Sequence, residues 1–138
     1  MEEKGVFWNV ADSYVRQNRE GKITSLTICP PKKDDEDSVQ LTFSIKDTEL
    51  IRVKLEVTEV AGLSEAVHMN RPWSAFHSFT QADGSKMETS IDYKDCFINT
   101  QRGQAKIALK LTENERMSMA LTLRGLHFFS IERKCKPK

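Results

Sequence analysis

The sequence predicts an α+β domain in which a group of β-strands followed by a helix occurs twice. Apolar and polar residues alternate strictly over residues 39–46 and 105–111, as they do in strands that bury one face. From Val53 to Val67, apolar residues recur at three- and four-residue steps and therefore share one face of a helix. Residues 112–115 (TENE) have the pattern of a capping box, which predicts the start of a second helix.

The first two strands are predicted to form a hairpin. Residues 6–16 suit either a helical stripe or a strand, and we favour a strand because residues 18–21 (NREG) predict a tight turn. Residues 22–29, rich in Ile and Thr, then supply the second strand. The dipeptide Pro30-Pro31 ends it, since proline has no N–H to donate to a neighbouring strand, and the charged residues 32–37 predict a solvated loop.

The first helix is predicted to follow the strand at 39–46 and to end near His68. Its start is open, because residues 50–55 (LIRVKL) contain enough β-branched residues to form a strand that becomes helical around Glu56. Gly62 lies inside this helix and lowers its stability by about 1 kcal/mol relative to Ala.

A second set of strands begins after Arg71-Pro72, where the proline interrupts the helix. Residues 73–80 have the aromatic composition of a strand and precede the turn at 81–84. Residues 86–92 and 96–100 are two further strands bounded by turns.

The last helix is unusually apolar. It follows the alternating strand 105–111, and apolar residues cover more than half of its circumference as far as Ile131. One sheet face would not cover so wide a surface, so we expect this helix to pack on two surfaces. The tail 133–138 is basic, which suits either an arm that binds polyanions or a segment that aids solubility.

Length and composition predict one domain spanning residues 1–138. Of these residues, 38% are hydrophobic and 30% are charged, as in ordinary globular domains. Two pseudo-repeats, about 5–70 and 71–132, share the order of elements without visible sequence identity. The formal net charge of +1 excludes the strong overall positive charge that duplex-DNA-binding domains usually have.

Cysteine usage and hydropathy predict an intracellular, cytoplasmic protein with no membrane partner. Cys29, Cys96 and Cys135 are odd in number and match no disulfide framework or metal-binding spacing, so we expect reduced thiols. No apolar run approaches the roughly 18 residues of a membrane span, and the N-terminus lacks the basic-then-apolar order of a signal peptide.

The sequence predicts no enzyme, no cofactor and no metal centre. His68, His77 and His127 lie far apart and none has a neighbour at metal-ligand spacing. The motifs GxxxxGK[ST], GxGxxG and GxSxG, which bind phosphate, bind dinucleotides or supply a hydrolase nucleophile, do not occur.

Aromatic side chains interleave with basic ones along the predicted strands. This combination suits single-stranded nucleic acid, because exposed aromatics stack on bases while Lys and Arg neutralise the phosphates. The alternative for each aromatic is a place in the core; Trp73 and Phe76 fall on opposite faces of one strand, so only one of them faces the core. The candidate nucleic-acid-binding residues are Trp8, Tyr14, Arg16, Lys22, Arg71, Trp73, Phe76, Phe79, Tyr93, Lys94, Arg102, Lys106 and Lys110.

The order of these motifs resembles the Whirly family of single-stranded-DNA-binding proteins. Residues 20–27 (EGKITSLT), with Pro30 close behind, are similar to the family's strand motif KGKAALT, although Glu20 stands at its first lysine. Residues 57–63 (VTEVAGL) are similar to VTEIGTL of the family's central helix. Residues 111–115 (LTENE), leading into 126–129 (LHFF), are placed like its final helix. Kinetoplastid guide-RNA-binding proteins and transcriptional-cofactor-like proteins share the architecture.

The Whirly resemblance implies a duplicated ββββα fold, with two antiparallel sheets of four strands, each followed by a helix. It implies binding of single-stranded DNA, with RNA as the alternative, on strand faces and at the edges between the sheets. It also implies that the helices pack into a homo-oligomeric core, as a dimer or tetramer. The competing hypothesis is an oligomeric protein-interaction or assembly module that binds no nucleic acid.

Overall fold

A computed structural model describes residues 10–31 and 38–135, except for the side chains of 132–135. Trp8, the charged loop 32–37 and the end of the basic tail lie outside the described residues. The strands are β1 (Asp12–Gln17), β2 (Ile23–Cys29), β3 (Val39–Ile45), β4 (Glu49–Leu55), β5 (Trp73–Thr80), β6 (Lys86–Lys94), β7 (Phe97–Arg102) and β8 (Ala105–Lys110). The helices are α1 (Val57–Met69), which follows β4, and α2 (Glu113–Cys135), which follows β8.

The strands form two four-stranded antiparallel sheets, in the orders β1-β2-β3-β4 and β5-β6-β7-β8. Each sheet is followed by a helix, which confirms the predicted α+β fold. Short turns make this order possible. Between β6 and β7, for example, Asp95 and Cys96 both adopt left-handed backbone angles, with φ of 50° and 73°, as a two-residue hairpin turn requires.

The core lies where the two sheets and the two helices meet. Alternation places one face of every strand against it, so that β4 buries Ile51, Val53 and Leu55 while the residues between them are exposed. Of the two possibilities that the sequence left open for residues 50–55, the structure has the strand, and the helix begins after Glu56. The largest fully buried side chains are Tyr93, Phe43, Leu26, Ile28, Leu41, Ile51, Leu55, Leu63, Ile91, Ile98, Ile107 and Leu109.

Capping boxes start both helices. The Thr112 N–H donates to Glu115 Oε1 at 2.8 Å, and the Glu115 N–H donates to Thr112 Oγ1 at 3.1 Å, which confirms the predicted box. At α1, Glu59 accepts a hydrogen bond of 2.9 Å from the Glu56 N–H in the same way. These bonds satisfy N–H groups that have no partner inside the helix.

The last helix packs along α1 and leaves a wide apolar face uncovered by the described residues. Ser64 Oγ in α1 donates to the Ala120 carbonyl in α2 at 2.9 Å. Leu121, at the border of the groove between the two helices, is 64% exposed, and Phe128 is 69% exposed. Of the two surfaces on which the last helix was expected to pack, one is α1. The other apolar surface of the helix faces outward. Neither helix, over its described residues, has the length and apolarity to cross a membrane.

Gly62 allows β5 to approach α1 closely. A Cβ atom added at Gly62 would lie 2.6 Å from Trp73 Nε1 and 3.2 Å from its Cδ1, which is closer than van der Waals contact allows. The helix accepts a poor helix former at this position because the indole of β5 occupies the space that a side chain would take. This contact sets how the second sheet lies against the first helix.

Candidate nucleic-acid interface

The second sheet lies against the first through β8, which contacts β2 and β3, and at a junction where β7 contacts the edge strand β4. At this junction Arg102 Nη2 donates to the backbone carbonyl of Arg52 at 2.6 Å. The same guanidinium donates from Nε to Thr89 Oγ1 at 2.8 Å. Arg102 is therefore held by groups from both sheets, and its orientation is fixed before any ligand binds.

A cleft of about 520 Å³ lies beside this junction, between the outer face of the first sheet and the end of the second. The core-facing side of the second sheet extends past β4, and cross-strand pairing brings His77, Thr89 and Arg102 into one row there. On β4, Arg52 and Lys54 alternate with core residues and so point outward. The cleft is lined by Gln40, Leu50, Arg52 and Lys54 from the first sheet and by His77, Phe79, Thr89 and Arg102 from the second, with Val53 beneath.

The side chains around this cleft are basic, aromatic or uncharged. Arg52, Lys54 and Arg102 supply positive charge, and none of the described lining residues is an Asp or Glu. Phe79 is 45% exposed and Leu50 is 51% exposed, so the cleft also presents apolar surface to solvent. The Arg102 guanidinium carbon lies 5.7 Å from the centroid of the Phe79 ring, which is a cation–π distance. Arg102 therefore supports the ring whose exposed surface faces the cleft.

His77 connects the cleft to the start of α1. Its Nε2 lies 2.7 Å from Glu59 Oε2, and the other carboxylate oxygen of Glu59 closes the capping box of α1. Both side chains are about three-quarters buried, at 29% and 24% exposure. The histidine is thus oriented by a carboxylate behind it and not by a second cleft residue.

A second surface with aromatic and basic residues is the outer face of the second sheet. Phe76 is 61% exposed there, and strand pairing aligns it with Ser90, Gln101 and Lys106 in one row. Phe97 is 41% exposed, and Lys110 Nζ lies 5.9 Å from its ring centroid.

Acidic side chains distinguish this outer face from the cleft. Glu88 and Asp92 share it with the lysines, and Asp92 Oδ2 accepts a hydrogen bond of 3.1 Å from Asn99 Nδ2. A polyanion would meet both signs of charge on this surface, so the cleft is the better candidate.

The structure divides the predicted binding residues among several places. Phe79 and Arg102 lie together in the cleft. The outer face of the second sheet carries Phe76, Lys94, Lys106 and Lys110. Lys22 and Arg71 are exposed in connecting segments away from the cleft lining. Trp8 lies outside the described residues.

Tyr14 and Tyr93 are core residues, which corrects the expectation that their rings are exposed. Tyr14 is 4% exposed and donates from its hydroxyl to Asp12 Oδ2 at 2.7 Å. Tyr93 is fully buried and donates to Asn70 Oδ1 at 2.6 Å. Burial raises the pKa of both phenols above the usual value. Each ring packs against the core because its strand position has the parity of the buried face.

Arg16 and Trp73 also have structural partners. Arg16 pairs with Glu115 and donates from Nε to the Lys110 carbonyl at 3.2 Å, so its charge is already engaged. Trp73 packs partly buried against the core and against Gly62. Of the pair Trp73 and Phe76, the tryptophan faces inward and the phenylalanine outward, as opposite strand faces require.

Sequence reasoning missed most of the cleft. Gln40, Leu50, Arg52 and Lys54 were not among the predicted binding residues, although the alternation of β4 already placed the two cations on one face. That signal lies in the local sequence. The side of the cleft formed by the second sheet could not be predicted from local sequence, because it depends on how this sheet packs beside β4.

Comparison with known proteins adds no further constraint. A scan against protein-family models found no match, and searches of curated proteins and of solved structures found none either. The resemblance to the Whirly family therefore stays a prediction. Within the described ranges, no group of three or more His, Cys, Asp or Glu side chains is arranged to hold a metal ion.

Proposed function

We propose that this protein binds single-stranded nucleic acid, with DNA as the first candidate, in the cleft between its two sheets. The observation that carries the proposal is the lining of that cleft, which combines the exposed ring of Phe79 with Arg52, Lys54 and Arg102 and contains no carboxylate. A cytoplasmic location is part of the proposal and rests on the sequence alone.

In this proposal, the basic side chains bind the phosphate backbone and the aromatic ring binds a base. Lys54 and the outward side chain of Arg52 are exposed and free to approach phosphate oxygens, which releases counterions from the nucleic acid. A base stacks on Phe79, a contact worth about 1–3 kcal/mol and tolerant of base identity. Because stacking on Phe79 tolerates any base, we expect little sequence specificity.

The strand must be single because stacking needs an open base face. In a duplex both faces of each base are covered by neighbouring pairs, and Phe79 would have nothing to stack on. The balanced net charge of +1 also leaves no overall positive field that would hold a duplex by charge alone. The local cleft, and not the whole surface, then determines affinity.

A fluorescence-anisotropy titration with labelled oligothymidine tests this proposal. We expect tighter binding of oligothymidine than of a duplex of equal length, with log K falling linearly in log salt at about −0.7 per phosphate contact. No binding of oligothymidine at low salt would overturn the proposal. An oligouridine of the same length, bound more tightly, would reassign the ligand to RNA.

We also propose a homo-oligomer formed through the helices, as the Whirly resemblance implies. A groove of about 330 Å³ runs between α1 and α2 and is bordered by the exposed Leu121. Glu65 and Arg124 line it with opposite charges. This suits a two-fold contact in which Glu65 of each copy faces Arg124 of the other copy. A strictly monomeric species in sedimentation would contradict this contact.

The assembly-module alternative is favoured by the same exposed helix face. If the protein serves only as an assembly module, it self-associates through α2 but binds no oligothymidine at any salt concentration. The two measurements above therefore separate the functions, because one reports nucleic acid and the other reports subunits.

A further inference from the structure

The edge strand β5 lacks the features that normally prevent strands from pairing with other chains. It is eight residues long (WSAFHSFT) and lies at the edge of the second sheet. It contains no Lys, Arg, Asp, Glu or Pro. Soluble proteins usually protect an edge of this length with charges, prolines or bulges, because its unpaired backbone groups otherwise recruit another strand.

The other edges of the described sheets are protected by charge. Of the four edge strands, β5 alone carries none. The charged residues of the other three are Asp12 and Arg16 in β1, Glu49, Arg52 and Lys54 in β4, and Lys106 and Lys110 in β8. The same chain thus protects three edges and leaves the fourth uncharged.

The outward backbone groups of β5 can be assigned from its hairpin. The Gln81 N–H donates to the Ser85 carbonyl at 2.8 Å, which makes these residues a hydrogen-bonded pair. Bonded and non-bonded pairs alternate along an antiparallel ladder, so the even-numbered residues of β5 direct their N–H and carbonyl groups away from β6. These residues are Ser74, Phe76, Ser78 and Thr80, all exposed. Among the described residues, nothing bonds to their outward groups.

Phe76 adds a side-chain reason for a partner strand. It is 61% exposed on the outer face and has a cross-strand neighbour, Ser90, on one side only. A strand added at the edge would supply the second neighbour and cover part of the ring. At its first residue, the inner face of β5 is already covered, because α1 contacts the strand and Trp73 packs against Gly62.

We infer that β5 pairs in antiparallel fashion with β5 of a second copy of this chain, which joins two second sheets into one continuous sheet. Charge complementarity selects this occupant. An uncharged strand meets no like-charge repulsion from its own copy, whereas a charged peptide would find no opposite charge along it. In a two-fold contact, each copy also presents its serine and threonine hydroxyls and its Phe76 to the other copy.

This contact differs from the helix contact and does not depend on nucleic acid. Where the cleft binds a strand as proposed, pairing has one further consequence, because Phe79 and His77 belong to β5 and also line the cleft. The two clefts of such a dimer lie on either side of one strand pair, and a longer oligonucleotide can reach both.

Sedimentation of the full chain with Ser78→Pro tests the inference. Proline removes the outward N–H of Ser78 without removing a bond to β6, so the fold is retained while the shared ladder is interrupted. Ala108→Pro is the matched control, since the same alternation directs the N–H of Ala108 out of the opposite edge of this sheet. We expect Ser78→Pro to weaken self-association by about tenfold or more, and Ala108→Pro to leave it unchanged.

Charge variants at Ser78 keep the test decisive if the proline variant does not fold. Ser78→Lys and Ser78→Glu should each weaken self-association, because two-fold pairing brings like charges together. An equimolar mixture of the two should recover it. Wild-type protein that is monomeric at every concentration, unchanged association of Ser78→Lys, or a mixture that fails to recover would each overturn the inference.

Discussion

Arg102 in β7 donates a hydrogen bond from Nη2 to the backbone carbonyl of Arg52 in β4, over 2.6 Å between the two sheets. The same guanidinium lies over the ring of Phe79. One side chain therefore joins the sheets and positions the ring on which a base is proposed to stack.

Arg102→Lys separates the charge of this residue from its geometry. Lysine keeps the positive charge but cannot reach Thr89 and the Arg52 carbonyl together, because it lacks the planar fork of donors. We expect oligothymidine affinity to fall by about 1 kcal/mol, roughly fivefold, with an unchanged salt slope. Anisotropy titrations at several salt concentrations measure both quantities. Affinity equal to wild type would show that the bridge does not position the site.

Substitutions of Lys54 and Lys22 distinguish the cleft from the basic residues that the sequence predicted to bind nucleic acid. Lys54 lines the cleft, whereas Lys22 lies at the turn before β2, on the far side of the first sheet from β4. Lys54→Ala should reduce the magnitude of the salt slope by about 0.7, the value for one phosphate contact on a single strand. Lys22→Ala is the matched control and should leave the slope unchanged. Equal effects of the two substitutions would place the nucleic acid elsewhere.

Gly62→Ala should destabilise the protein although alanine is the better helix former. The new methyl group would lie 2.6 Å from Trp73 Nε1, and the indole is held against the core. We expect a loss of about 1–3 kcal/mol in the free energy of unfolding, as for other overpacked sites. Urea denaturation of Gly62→Ala, Trp73→Phe and the double variant measures the coupling. A cost that is the same with phenylalanine at 73 would contradict the close contact.

Asp12 should contribute stability that is lost in acid. Partial burial alone would raise its pKa, but hydrogen bonds from Ser118, Tyr14 and the Ser13 N–H outweigh burial and hold the pKa below 3.8. The lowered folded-state pKa means that this stability is present above 3.8 and disappears as the pH falls through the folded value. At neutral pH, Asp12→Asn should cost about 1 kcal/mol after allowance for solvent screening.

Urea denaturation across the acid range checks this prediction. The difference between wild type and Asp12→Asn should shrink as the pH falls below 3.8, because the wild-type carboxyl then becomes protonated and neutral. A difference that is constant with pH would show that the asparagine disturbs packing and that the charge of Asp12 has no role.

The fold could be predicted further than the site because its signals are local. Alternation over 39–46 and 105–111 and the box at Thr112 depend on residues a few positions apart, and each produced the predicted element. The bond between Arg102 and Arg52 joins residues 50 positions apart, and the pair Arg16 and Glu115 spans 99. No local pattern contains such contacts, since they depend on how the sheets pack.

The two buried tyrosines, in contrast, could have been assigned correctly from local sequence. Composition placed Tyr14 and Tyr93 among aromatics able to stack on bases, yet both occupy core-facing strand positions. The alternation within each strand already indicated that these rings are buried, because Tyr93 lies on the same face as the buried Ile91 and Thr89. Applying the register to the aromatics before assigning them to a ligand would have left Phe76 of that set exposed. Phe79 shares the core-facing parity of Trp73, and its exposure follows from how the two sheets pack.

Phe79→Ala compared with Phe97→Ala tests the central claim most directly. Both rings are exposed to a similar extent, at 45% and 41%, and each has a cation over it, but only Phe79 lies in the described cleft lining. Oligothymidine titrations should show that Phe79→Ala loses about 1–3 kcal/mol of binding energy, roughly five- to 150-fold in Kd, while Phe97→Ala changes it by less than about twofold. Wild-type affinity in Phe79→Ala, or an equal loss in Phe97→Ala, would contradict binding in the cleft.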